Sequence, residues 1–310
     1  MAAGSVASKT PLDPAASPLN RHTQVPLRGI GLMVASTVFF SCGDIIAKAL
    51  ASSMPAVEIV WLRYVTFSLI LAPFLWHSVG KVGLRSSRPG LQLLRGLGMV
   101  GSALLFVLSL PFLPVADATA IHFTSPILIT AMAMLLLGEK VGWRRWAAAF
   151  VGLIGVLVII RPGTGAFQPA ALLPLVAAAC WAGAAVATRQ ISGTDHPMVT
   201  LAYSALIGLV VLTAVVPFAW VTPTGYELAL AISMGAMSTA GHGLVVLAYR
   251  HASASLIAPF SYVQLVWSGA LGFLAFGALP DGFTIAGAGI IAASGLYTAY
   301  RERVRASARP

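Results

Sequence analysis

Apolar stretches of roughly 18 to 23 residues, each closed by a short polar loop, follow one another from residue 29 to residue 300. That length crosses a hydrocarbon core, and in lipid a helix satisfies every backbone polar group within its own segment. The pattern predicts ten helical spans, at 29–50, 56–76, 91–110, 115–137, 146–161, 170–189, 198–219, 226–249, 254–278 and 283–300. The fifth is the shortest, with Trp143 as an alternative start. The fold class expected is therefore an all-α integral membrane protein.

Composition agrees. The 310 residues are 58% hydrophobic and 9% charged, with a mean hydropathy of +0.88. A soluble domain carries about a quarter charged residues, and no polar stretch here is long enough to bury a core of its own. Residues 1–28 are rich in Ala, Ser and Pro and read as a disordered tail without a cleavable leader pattern. Residues 301–310 form a short basic tail. Cys42 and Cys180 both fall inside apolar runs, so a disulfide framework is not expected.

The net charge of +10 resolves into a topology signal. With ten spans, all but Lys48, Arg63 and Arg161 of the 19 Lys and Arg residues fall on one side of the membrane. Basic loops stay cytoplasmic, so both termini are expected there. The basic balance then calls for no nucleic-acid partner.

The two halves echo one another. The second span follows Pro55 and ends "PFLW" (73–76); the seventh follows Pro197 and ends "PFAW" (217–220). "VADATAI" (115–121) is matched by "HASASLI" (251–257), and "CGD" (42–44) more weakly by "WAG" (181–183). A five-span unit is odd, so its second copy enters the membrane upside down. Two inverted five-helix repeats, 29–162 and 163–300, are the expected arrangement, with a substrate site between them near the midplane, as in secondary transporters. Small-residue faces at 96–105, 152–157 and 286–295 would let helix backbones approach closely. A monomer is expected, because the duplication already supplies two halves.

The segment 123–163, "FTSPILITAMAMLLLGEKVGWRRWAAAFVGLIGVLVIIRPG", resembles the drug/metabolite transporter superfamily, specifically its EamA type. The features that carry the likeness are Pro126 within a span, Gly138-Glu139 at a helix end, the closing "RPG" (161–163), and Arg63 in "WLRYVTF". The likeness extends over nearly the whole chain. Where a second Gly-Glu is expected, the chain has "FGALPDG" (276–282) with Asp281. The resemblance implies a ten-helix carrier of the bacterial inner membrane with a central cavity, no catalysis and no bound cofactor. Within the superfamily the chain is most similar to members assigned uptake of S-adenosylmethionine or riboflavin; other members export amino acids and drug-like compounds.

Several polar residues lie deep in the spans. At 1.5 Å per residue, Asp44 and Arg63 sit about 9 Å from the outer end, His122 at a similar depth, and His242 about 10 Å from the cytoplasmic end. An ionisable residue at such depth costs roughly 2.5–3.5 kcal/mol and faces a cavity or a partner. Lys48, four residues beyond Asp44, either neutralises it or reaches outward to the interface. Arg63 cannot shed its proton. An ion pair with Asp44 would brace two helices; alternatively one or both charges face the cavity and meet a charged substrate group. His122 and His242 are open to two readings, hydrogen bonding between helices or carrying a coupling proton. Trp181, Tyr262 and Gln264 lie near the midplane, where aromatic belts do not belong. They either fill the core or receive a planar substrate. Pro126 and Pro259 each break a span. No spacing resembles a metal site.

An intramembrane aspartyl protease needs Gly-x-Gly-Asp, and "SCGD" (41–44) lacks the first Gly; a rhomboid needs Gly-x-Ser-Gly, and the chain has "VWSG" (266–269). A lipid flippase would present a groove open to lipid instead of an enclosed site.

Overall fold

The structure, a computed structural model, describes residues 26–82, 85–137, 143–164, 167–191, 194–251 and 258–307. Eleven α-helices lie in these segments, with no strand among the described residues. They are α1 (Pro26–Leu50), α2 (Ala56–Val82), α3 (Pro89–Ser109), α4 (Val115–His122), α5 (Ser125–Leu137), α6 (Trp143–Ile160), α7 (Leu172–Ile191), α8 (Pro197–Val215), α9 (Gly225–His251), α10 (Val263–Phe276) and α11 (Gly282–Ser307). The fifth predicted span does begin at Trp143. Helix α1 starts three residues before the first predicted span, and α11 runs on through Ser307 into the basic segment. Gly138, Glu139 and residues 252–257 lie outside the described residues.

Seven helical stretches are long and apolar enough to cross a membrane, among them Val115–Leu136, which takes in α4 and α5 together. Three shorter apolar helices, Trp146–Ile160, Phe260–Phe276 and Gly282–Thr298, make up the remaining predicted passes. Bulky apolar side chains such as Phe150, Leu135, Leu274 and Ile285 are exposed on the outside of the bundle, where lipid takes the place of water.

Two passes are broken. The fourth stops at His122 and restarts at Ser125, so the break precedes Pro126 by two to three residues. Proline accounts for the offset. Pro126 stands second in α5, where its missing N–H goes unneeded, and its ring prevents the preceding turn from running straight on. Thr124 covers the gap: its hydroxyl donates to Ile121 O (2.8 Å) and its carbonyl accepts from Ile127 N (2.9 Å). The ninth pass enters α10 through a 3₁₀ turn, Ala258–Tyr262, that contains Pro259. It ends on Gly277, whose φ of +66° closes the helix in the left-handed conformation that glycine adopts freely.

Helices from the two halves interleave. α1 packs most heavily on α9, α3 on α7, and α6 on α11, while α2 bridges α9 and α8. The expected small-residue faces make these contacts. A Cβ on Gly155 would fall 2.8 Å from Gly287 O, and one on Gly287 2.6 Å from Gly155 O, so α6 and α11 touch through their backbones. A Cβ on Gly98 would likewise meet Cys180 O on α7 at 2.8 Å.

Polar ties secure both ends. Lys48 makes no ion pair with Asp44. Its ammonium donates to Leu110 O (3.0 Å), the C-cap carbonyl of α3, and to Leu113 O (2.6 Å) in the turn that follows. A cation there meets the negative end of the helix dipole. At the same end Arg161 pairs with Asp281, and Thr284 donates to Asp117. At the opposite end Asp195, in the α7–α8 loop, accepts from Ser86 Oγ, Ser87 N and Gln92 Nε2. Arg95, counted by sequence as a loop charge, lies inside α3 and is buried. It donates to Thr188 Oγ1, Thr200 O and Ser204 Oγ on α7 and α8.

Two predictions follow these ties. Lys48→Met leaves the Leu110 and Leu113 carbonyls without their donor and should cost about 1–3 kcal/mol, read as a lower Tm in detergent; an unchanged Tm would remove Lys48 from the packing of α3. Partial desolvation pushes the Asp195 carboxyl up, but the bonds from Ser86, Ser87 and Gln92 outweigh it and hold it at about 2. A depressed carboxyl stabilises the fold above its unfolded value of 3.8 and stops doing so as pH falls through about 2. Asp195→Ala should therefore lower Tm at pH 7, with the gap to the parent closing between pH 4 and pH 2.

Candidate functional site

Where α1, α2, α4, α7, α9 and α10 converge, the polar residues singled out by sequence fall into two groups. Asp44, on α1, accepts from Gln264 Nε2 on α10 at 3.2 Å. One turn earlier Ser41 extends the same seam, 3.3 Å from Ser268 Oγ and donating to Gln264 O at 3.4 Å. Arg63, on α2, makes no ion pair with Asp44: among the described residues no carboxylate comes within salt-bridge distance of its guanidinium. The expected brace is thus absent. α1 and α2 are held instead through their separate contacts with α9.

Arg63 is half-buried beside the buried Tyr64. Its guanidinium carbon stands 6.0 Å from the Tyr64 ring centre. His242 sets its ring edge-on against Phe40 of α1 (4.9 Å between centres), and its Nδ1–H donates to Ser238 O at 2.8 Å. This bond along its own helix is not the interhelical one expected. His242 is exposed and Asp44 and Arg63 are half-buried, although all three lie mid-helix among packed neighbours. Each therefore keeps accessible surface along its helix.

The second group is aromatic. His122, the last residue of α4, lies with Nε2 3.2 Å from Ser102 Oγ of α3. Its ring centre is 5.5 Å from Phe106 and 6.5 Å from Trp181 of α7. Tyr262 belongs to neither group's polar chemistry. Its ring lies 5.1 Å from Phe123, and its hydroxyl fills the space left by Gly295, where a Cβ would stand 1.6 Å away. Phe123 sits at the break between α4 and α5, and Tyr262 at the junction of the 3₁₀ turn with α10. The two broken passes therefore meet at their breaks, which places the Pro126 and Pro259 segments side by side.

Sequence reasoning did not identify Phe40, Ser102, Phe106 or Ser268. Each is an ordinary core residue type, and only the pairing of helices gives it a partner. For Arg95 the signal was available: it falls within the predicted span 91–110, behind the first-turn Pro89. Among the described residues no three His, Cys, Asp or Glu side chains gather as metal ligands.

Comparison with known proteins gives this arrangement a family. The model of the EamA-like transporter family matches the chain twice, over residues 27–161 and 168–300. An S-adenosylmethionine uptake transporter of Rickettsia felis is 31% identical over 285 residues, covering 92% of this chain and 97% of that protein. A riboflavin transporter of Rhizobium johnstonii is 29% identical over 90% of this chain and 92% of its own length. A pseudopaline exporter of Pseudomonas aeruginosa is 28% identical over 85% and 93%. A solved crystal structure, 22% identical, superposes with a TM-score of 0.59 over 88% of this chain and 97% of its own, which supports the fold. With the family model matched twice across nearly the whole helical region, this chain belongs to the EamA-like transporter family of membrane proteins.

Proposed function

We propose that the protein is a secondary transporter that takes up S-adenosylmethionine across the bacterial inner membrane by alternating access, through the site around Asp44 and Arg63. The observation that carries this reading is the end-to-end similarity to uptake transporters of that compound, joined to an interior site holding both charges and an aromatic corner. S-Adenosylmethionine brings a carboxylate, two cationic groups and a purine. Trp181 and His122 offer flat surfaces for the purine. Riboflavin is the second reading, supported by relatives of that name, but a neutral flavin leaves Arg63 and Asp44 unanswered.

The mechanical half of the proposal is a pair of inverted repeats, residues 29–162 and 163–300, forming ten spans with both termini cytoplasmic. What supports it is the symmetry of helix packing. Counting α4–α5 as the fourth span and the pass containing α10 as the ninth, span 1 packs on span 8 as span 3 packs on span 6. Span 2 meets span 8 as span 7 meets span 3, and spans 2 and 7, 4 and 9, and 5 and 10 pair with their own counterparts. Exchanging the halves leaves that set of contacts unchanged. Two interchangeable halves give inward- and outward-facing forms of similar energy, in a monomer, with His242 and His122 as candidate proton carriers for coupling.

Uptake of labelled S-adenosylmethionine and riboflavin into proteoliposomes tests this. S-Adenosylmethionine should accumulate saturably, and Arg63→Ala should cut the rate at least about tenfold while protein incorporation stays constant. Riboflavin uptake alone, or release of preloaded compound without uptake, would overturn the substrate or the direction.

A further inference from the structure

Most of the protein's other described charges are answered at close range; the exception is Glu58, buried at the start of α2, which accepts from Val221 N and leaves Oε1 unpaired. Buried Arg95 has three oxygen acceptors, Lys48 has two carbonyls, and half-buried Asp117 accepts from Thr284. Arg161 and Asp281 pair with one another. Arg63 stands apart. Among the described residues no carboxylate reaches it, and its nearest recorded partner is the face of Tyr64, 6.0 Å from the guanidinium carbon. Asp44 has one neutral donor, the Gln264 amide, and no cation in contact.

The two side chains are half-buried on helices that reach α9 at one level, α1 where a Cβ on Gly43 would meet Met234 O at 3.9 Å and α2 where a Cβ on Gly235 would fall 2.5 Å from Thr66. A guanidinium in such a place keeps its charge and presents a planar fork matched to a carboxylate. A carboxylate with spare lone pairs answers an ammonium. A group carrying both charges answers the two together.

We propose that Arg63 and Asp44 together recognise the α-amino-acid head of the transported compound, the carboxylate at Arg63 and the ammonium at Asp44, with Gln264 orienting Asp44. This rests on the central site being the transport site. It deepens that reading by assigning substrate selection to the zwitterionic head. The head inserts one negative and one positive group between two protein charges of opposite sign, so the loaded site has every charge answered. A compound with the same ring but no carboxylate leaves Arg63 unpaired in a desolvated site, and such a loss is discriminated strongly.

Thermal stabilisation of the purified full-length protein, titrated with a graded ligand series, tests the assignment. The series is S-adenosylmethionine, S-adenosylhomocysteine (head kept, sulfonium charge lost), decarboxylated S-adenosylmethionine, methylthioadenosine (no head), riboflavin and the free L-amino acids. The expected result is that S-adenosylmethionine and S-adenosylhomocysteine both bind, while the decarboxylated compound binds at least about tenfold more weakly. In Arg63→Ala that discrimination should vanish, and Asp44→Asn should weaken ligands bearing the ammonium. Arg63→Lys, which keeps the charge without the fork, should retain part of it, and the wild-type series alone decides the matter if Arg63→Ala does not fold. Equal binding with and without the carboxylate overturns this inference and leaves S-adenosylmethionine transport standing. Binding of free amino acids without adenosyl compounds supports the inference and overturns that substrate. Binding of riboflavin alone, or of no ligand in the series, overturns both.

Discussion

A peptide amide or carbonyl inside a bilayer has no water to turn to, and every break in a helix must find its partners within the protein. The two broken passes show how this chain meets that demand. Thr124 bridges the first break with its hydroxyl and carbonyl, and the Thr130 hydroxyl donates to Pro126 O at 3.1 Å. The breaks lie against one another, Phe123 on Tyr262, so irregular backbone is kept in the interior and away from lipid. The polar and aromatic groups of the site belong to helices that converge around this point. His122 and Gln264 lie next to these breaks, while Asp44, Arg63 and His242 sit on unbroken helices.

Charge is managed by the same rule, with different means at each place. Lys48 is placed at the carbonyl end of α3, where the helix supplies acceptors and a favourable dipole. Arg95 is surrounded by hydroxyls and a carbonyl from α7 and α8. At Asp281 the Thr284 amide, helped by Arg161, holds the carboxyl below its ordinary range. These groups join helices and are structural. Arg63 and Asp44 make no such pair with each other, and Asp44 accepts instead from Gln264 of α10.

Much of the architecture was legible in the sequence because it rests on local signals. Run length marked the passes, Pro126 and Pro259 the broken ones, and Gly155 and Gly287 the faces where backbones touch. Contacts across long separations were not legible. Lys48 bonds a carbonyl 62 residues away, and Asp44 an amide 220 residues away. The nearer candidates, Asp44 for Lys48 and Arg63 for Asp44, obeyed the helical spacing or depth rules but lost to partners brought in by packing. Depth also cannot report rotation about the helix axis. Asp44, Arg63 and Tyr262 were all selected by depth, yet Tyr262 turns toward Gly295 and packs while the other two stay accessible.

The central claim is that Arg63 and His242, on different helices, border one water-accessible substrate site. Cysteine labelling tests it most directly. In protein with Cys42 and Cys180 replaced, Arg63→Cys and His242→Cys are each exposed to a charged, membrane-impermeant thiol reagent in sealed and in permeabilised vesicles. The account predicts that both positions react in permeabilised vesicles and that S-adenosylmethionine slows labelling at His242→Cys, where the recognition pair is intact. Failure of both to react, or reaction at His242→Cys that the compound leaves unchanged, would contradict it.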